Sequence, residues 1–264
     1  MVEPLQADEI TARLKTVLLG RRVLVYEKIG STNNQAVILA DQGAEEGTLI
    51  LTETQTEGKG RLGRTWFSPP GVNLYLSVIL RPRIEPSQAT MLTLLAGVAV
   101  AFAIRQQTHL MTQLKWPNDV LIGEKKVAGI LAELAADGHA IKHLILGIGL
   151  NINLEGAMLP PELTKTATSL KIELGRVVSR LEMLETLVNQ LERWYTVFLD
   201  QGSTPIIEEY NRFSNTLGRR IQVVFHDRVV EGEAVGLAPN GGLILRERDG
   251  TSTTIFTGDV VHIR

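Results

Sequence analysis

Gly58-Lys59-Gly60-Arg61-Leu62-Gly63-Arg64-Thr65-Trp66-Phe67-Ser68-Pro69 sets three glycines among three cations and runs straight into an aromatic pair. Glycine permits positive φ and close backbone approach, and lysine and arginine place donors that suit a phosphate or carboxylate. The stretch reads as an anion-holding loop, with a solvated surface loop as the plain alternative. Gly58, Gly60 and Gly63 satisfy G-x-G-x-x-G, but the dinucleotide fingerprint needs a helix opening at its last glycine. Ser68-Pro69-Pro70-Gly71 follows instead, and its prolines exclude a helix of any length. No H-R-D or D-F-G accompanies the loop as in a kinase, and no Gly-Lys pair precedes Ser or Thr as in a Walker A loop.

Working outward, β-rich segments flank the loop at 48–53 and 72–80, and a long apolar helix is expected at about 88–107. Before them come an amphipathic helix over 6–19, a strand at 22–27 and a helix over 36–40 capped by Gly30-Ser31-Thr32-Asn33. After them, short turns divide strands at 113–116, 120–122, 126–134 and 143–153, which suits hairpins. Ser179 with Glu182 forms a capping box ahead of a helix ending near 199, and Pro205 opens another through about 213. From 219 onward the texture is short strands and tight turns, as in a small β-barrel. A boundary is placed at 217/218, giving domains 1–217 and 218–264.

The chain of 264 residues is long enough to bury a substantial core, and it has no cysteine. Disulfides, thiolate metal sites and thioester chemistry on the protein are therefore excluded. A net charge of −2 gives no general attraction for nucleic acid or anionic membrane, so any basic site is local. The start lacks the basic region and apolar run of a signal peptide. The apolar stretch 91–104 reads as too short to cross a bilayer. A soluble, cytoplasmic chain is expected.

Three further segments carry polar groups where a core would not choose them. Lys115-Trp116-Pro117-Asn118-Asp119 ends an apolar strand in a lysine and a proline turn. Lys126-Val127-Ala128-Gly129-Ile130-Leu131-Ala132-Glu133 holds a strand glycine, which signals either close approach of a ligand or backbone, or a bulge. Gly147-Ile148-Gly149-Leu150-Asn151-Ile152-Asn153 places amides in an apolar strand, where they need partners.

Together with Gly30-Ser31-Thr32-Asn33 and Glu53-Thr54-Gln55, and in this order along the chain, these motifs resemble the biotin protein ligases. The resemblance implies an α+β fold: a mixed sheet flanked by helices, of the class II synthetase-like biotin/lipoate ligase type, with a C-terminal SH3-like β-barrel. It implies a C–N bond-forming ligase that activates biotin with ATP and Mg²⁺ to biotinyl-5′-AMP, then transfers biotin to a lysine of a biotin carboxyl carrier protein. Ser31, Thr32, Asn33, Gln55, Lys59, Gly60, Arg61, Lys115 and Gly129 would hold biotin. Arg61, Arg64, Trp66, Asn118, Lys126 and Asn151 would hold the nucleotide. Lys115 is expected as the central electrostatic residue, with Lys59 and Arg61 also catalytic, and no metal ion is held firmly by protein side chains.

Lys59 departs from the pattern, since many members carry arginine there, and lysine lacks the planar bidentate fork. Too few residues precede Gly30 for a helix-turn-helix module, so a monofunctional type without specific DNA binding is expected, with a homodimer possible. None of the five histidines looks catalytic, although His139 and His143 share an i,i+4 spacing. A lipoate-type ligase stands as the alternative of the same chemistry. A single-stranded nucleic-acid binder, using the loop aromatics and the barrel, stands as one of a different class.

Overall fold

The computed structural model of the chain describes residues 4–138, 140–225 and 227–262. Seven strands, β1 (Val23–Ile29), β2 (Leu49–Gln55), β3 (Leu74–Leu80), β4 (Thr112–Lys115), β5 (Asp119–Ile122), β6 (Lys125–Asp137) and β7 (Ala140–Leu150), form one sheet in the order β1-β2-β3-β7-β6-β5-β4. The β1–β2 pair is parallel and the rest are antiparallel, so the sheet is mixed. Strand β3 is apolar save for Tyr75 and Ser77 and is buried throughout, which places it under both helical layers.

Alternation assigns the two faces. Ile50, Ile79 and Ile145 meet Ala36 and Ala40 of α2 (Thr32–Asp41) on one side. Leu49, Leu51, Leu76, Val78 and Leu146 join the main core with α3 (Ala89–Thr108) on the other. Each fully buried leucine of this kind contributes about 1.5–3 kcal/mol. Over α3 lie α5 (Arg180–Gln201) and α6 (Thr204–Phe213), with Phe102 against Trp194 at 5.4 Å and against Phe213 at 5.3 Å. The cap expected at Ser179 is present, its side chain accepting from the Glu182 amide. A five-residue helix, α4 (Leu170–Leu174), capped by Ser169, was not foreseen.

Two expectations change. The first helix, α1, covers only Ala7–Arg13 rather than 6–19. Beyond it the Val17, Leu18 and Leu19 amides all donate to the Glu192 carboxylate of α5, a long-range partner that ends the helix. Pro86–Thr108 is in fact long and apolar enough by length and composition to span a membrane, since small and polar flanks extend the stretch to 23 residues. It serves as a core helix here, with 72% of its apolar window buried inside the protein.

A second sheet follows, made of β8 (Arg220–Val224), β9 (Val229–Leu237), β10 (Leu243–Arg246), β11 (Ser252–Ile255) and β12 (Asp259–His262). All pairings are antiparallel in the order β11-β10-β9-β8-β12, in keeping with an SH3-like barrel. Buried Trp116 donates its indole N–H to the Gly241 carbonyl at 3.1 Å, which seats this sheet beside the end of β4. The β11–β12 turn thereby reaches the glycine-rich loop.

Candidate active site

The loop after β2 closes as a tight hairpin. Trp66 N donates to the Gly58 carbonyl at 2.8 Å and Gly60 N to the Arg64 carbonyl at 2.6 Å. A Cβ on Gly58 would meet the Trp66 carbonyl oxygen at 2.5 Å, so only glycine fits. Arg61–Gly63 forms a single 3₁₀ turn, with Leu62 at φ 55° and exposed at the tip. The loop covers a narrow pocket of ≈ 50 Å³ that opens beside a wider hollow of ≈ 360 Å³.

Ser31, Thr32, Asn33, Gln55, Lys59, Gly60, Arg61 and Gly129 all line the narrow pocket, together with Trp66, Asn118 and Lys126. Its floor is cross-bonded. Thr32 N donates to Gln55 Oε1 at 2.9 Å, Gln55 Nε2 to Ser68 Oγ at 3.0 Å, and Ser77 Oγ to Asn33 Oδ1 at 2.6 Å. Asn33 Nδ2 donates to Glu133 Oε2 at 2.6 Å. The cap of α2 thus comes from Gln55 rather than from Ser31, whose side chain makes no cap bond. Preset amides and hydroxyls of this kind suit a small, uncharged polar ring system.

Trp66 forms the wall between the two cavities and lines both. Gly129 and Gly149 are direct cross-strand partners. A Cβ on Gly129 would lie 2.9 Å from Trp66 Cζ3 and 2.9 Å from Lys126 Cε, and one on Gly149 would lie 2.5 Å from Trp66 Nε1. The strand glycines therefore make room for an indole and a lysine stem, rather than for backbone or a bulge. Lys126 Nζ sits 5.2 Å over the Trp66 ring, within cation–π range.

The cations are arranged unequally. Lys59 pairs with Glu133 at 3.3 Å, Arg64 with Asp259 of β12, and Lys126 with Asp119 at 2.6 Å. Arg61 instead donates to two neutral oxygens, Asn118 Oδ1 and Thr257 Oγ1, each at 3.2 Å. Burial lowers its pKa, opposed by Asp259 and Asp119, and a guanidinium remains charged regardless. Its positive charge stands at the junction of the two cavities with no carboxylate in ion-pair contact among the described residues.

Arg61, Arg64, Trp66, Asn118, Lys126 and Asn151, the six residues grouped from sequence around a nucleotide, all line the wider hollow, with Leu154, Leu159 and Leu163 supplying an apolar wall. Asn151 is committed to the fold: its Nδ2 donates to the Thr168 carbonyl and its Oδ1 accepts from Asn73. Lys115 departs from expectation, because it lines the wider hollow and not the narrow pocket. Of the lysines lining the site, the one bordering both cavities is Lys126, beside Arg61 and Trp66. Sequence reasoning gave no role to Glu133, although it ends the segment 126–133, and missed Ser77, Asp259 and His262, which reach the site from other strands. Buried His143 meets Asp41 at 3.2 Å, while His139 lies outside the described residues. Among the described residues no three His, Asp or Glu side chains converge as a metal site.

Fold and site together give a narrow polar slot, a wider hollow bordered by cations, and a guanidinium between them. Residues 26–151 match the biotin/lipoate A/B protein ligase family, and residues 216–263 match the biotin protein ligase C-terminal domain. The chain is 34% identical to the bifunctional ligase/repressor BirA of Bacillus subtilis, across 97% of this chain and 78% of that one. It is likewise 34% identical to the biotin–[acetyl-CoA-carboxylase] ligase of Mycobacterium tuberculosis, across 97% of this chain and 96% of that one. The structure of the Aquifex aeolicus biotin protein ligase in complex with biotin and ATP superposes with a TM-score of 0.79 at 29% identity, covering 92% of this chain and 99% of that one. The chain belongs to the biotin/lipoate A/B protein ligase family.

Proposed function

We propose that this chain is a biotin protein ligase, and the observation that carries the reading is Arg61. A guanidinium held by neutral oxygens between a polar slot and a cationic hollow supports a reading in which a carboxylate and an α-phosphate meet there. In the first step a biotin carboxylate oxygen attacks the α-phosphorus of ATP and pyrophosphate leaves. In the second a carrier lysine amine attacks the acyl carbon, AMP leaves, and the amine loses a proton. Both nucleophiles come from substrates, so positioning and charge neutralisation carry the rate.

Ser31, Thr32, Asn33 and Gln55 hold the ring end of biotin, and Lys59, Gly60 and Arg61 its carboxylate. Lys126 takes the central electrostatic role that sequence reasoning gave to Lys115, because it borders both cavities. Lys115 then serves the polyphosphate. Mg²⁺ would accompany ATP, held chiefly by phosphate oxygens and water, since Asp119 and Asp259 are engaged by Lys126 and Arg64. Residues 1–217 form the catalytic domain and 218–264 the barrel. We place the reaction in the cytoplasm, with a biotin carboxyl carrier domain as acceptor and without specific duplex binding.

Purified protein with ATP, Mg²⁺ and biotin should label one lysine of a biotin carboxyl carrier domain. Equal or preferred transfer of lipoate would overturn the assignment in favour of a lipoate-type ligase.

A further inference from the structure

We propose that His262, at the end of β12, is a further substrate-positioning residue: its imidazole Nε2–H donates to the polyphosphate of ATP, so the C-terminal sheet completes the nucleotide site. The inference rests on the reading that the wider hollow takes ATP. His262 lines that hollow together with Lys115, Arg64 and Lys126.

Its tautomer follows from its neighbour. Nδ1 lies 3.4 Å from Arg219 Nη1, and a guanidinium can only donate. Nδ1 therefore accepts, and the hydrogen of the neutral ring sits on Nε2. That atom is enclosed and has no hydrogen-bond partner among the described residues. A buried donor left unmatched is costly, and native folds rarely keep one without a use. An acceptor delivered by the ligand in the adjoining hollow would satisfy it.

Four cations line the same hollow, Arg61, Arg64, Lys115 and Lys126, and with Asp119 and Asp259 already paired to Lys126 and Arg64 they favour an oxyanion over a carbonyl as that acceptor. Burial, Lys115 and Arg219 together lower the pKa of the ring, with Glu124 opposing, so the imidazole adds a donor without a further charge. The same hydrogen placement excludes Nε2 as the base for an attacking amine. Sequence inspection had no means to single this residue out, because its partners lie on β4 and at the start of the second sheet.

The test compares His262→Phe with His262→Gln. Phenylalanine keeps the ring and loses the donor, while the glutamine amide can place an N–H at a similar reach. The KM for ATP in pyrophosphate release at saturating biotin should rise about ten- to a hundredfold in H262F, the range for a lost hydrogen bond to a charged group. H262Q should stay within a few-fold of the unaltered protein, and biotin affinity by calorimetry should be unchanged in both. An unchanged KM in H262F, or equal impairment of both variants with a lowered melting temperature, would show a packing role and overturn the proposal. If H262F does not fold, ¹⁵N–¹H spectra of the unaltered protein decide: the His262 Nε2–H resonance should shift when ATP is added with biotin, and a fixed resonance overturns the proposal. Failure of the unaltered protein to form any adenylate would instead remove the functional reading on which this one stands.

Discussion

Gly149→Ala tests the wall between the two cavities. A Cβ at this position would lie 2.5 Å from Trp66 Nε1 and 2.8 Å from Trp66 Cζ2, whereas ordinary carbon contacts lie near about 3.5–4.0 Å. The indole would have to retreat by about 1 Å, and it cannot retreat freely, because Lys126 covers its face and Gly129 lies beside it. Overpacking of this size costs about 1–3 kcal/mol of stability, and a misplacement of about 1 Å near the chemistry costs on the order of a hundredfold in rate. Biotin-dependent pyrophosphate release in single-turnover mode should fall by that factor while the protein stays folded. Gly156→Ala is the control, since a Cβ there meets nothing within 4 Å. Wild-type adenylation with a wild-type melting temperature in G149A would refute the assignment of Trp66 as the dividing wall.

Arg61→Ala should reduce adenylate formation about 10²-fold or more, the scale for losing one preorganised donor from a reacting oxyanion, and a rate within threefold of wild type in rapid-quench assays would count against the role. Lys126→Ala should slow adenylation more than Lys115→Ala, which should act mainly on the KM for ATP; the reverse order would return the central role to Lys115. Lys59→Arg should leave biotin binding by calorimetry intact or tighter, since the guanidinium can still reach Glu133 and adds a bidentate fork. Glu53→Ala should destabilise the fold by about 3–5 kcal/mol in chemical denaturation, because it strips the carboxylate from Arg180, which is 3% exposed; a loss below 1 kcal/mol would mean that this pair does not hold the β2 end of the site.

Much of the site was legible because its chemistry is local. The loop 58–69 announces an anion by composition, and the motifs at 30–33 and 126–131 supply the slot through short-range geometry. What stayed hidden depends on long-range pairing. Glu133 meets a loop lysine 74 positions away, and Asp259 meets an arginine 195 positions away. The choice between Lys115 and Lys126 was equally out of reach. Lys115 closes β4 and Lys126 stands at the start of β6, and which of them reaches the junction depends on how β5 pairs with β6, where the register shifts between Val120 and Leu121. Gly129 reads in the sequence as a close approach or a bulge, yet the approaching group, an indole seated on the Gly129–Gly149 pair, comes from a loop that no periodicity describes.

The unequal pairing of the cations explains how one loop can be both preorganised and exchangeable. Lys59 and Arg64 rest against carboxylates in partly exposed ion pairs, and such pairs contribute only about 0–1 kcal/mol. An incoming phosphate or carboxylate can displace them at small cost, while each pair keeps its cation near the mouth until then. Arg61 is different, because neutral oxygens hold its geometry without cancelling its charge. Glu133 links the two regimes: it binds Lys59 of the loop and Asn33 of the slot together. Filling the slot therefore acts on a residue that also restrains the loop, and release of Lys59 toward the ligand leaves Asn33 still fixed by Ser77. Any rearrangement of the loop around a bound intermediate would require exchange of surface ion pairs rather than repacking of the core, which suits a site that must exclude water between two chemical steps.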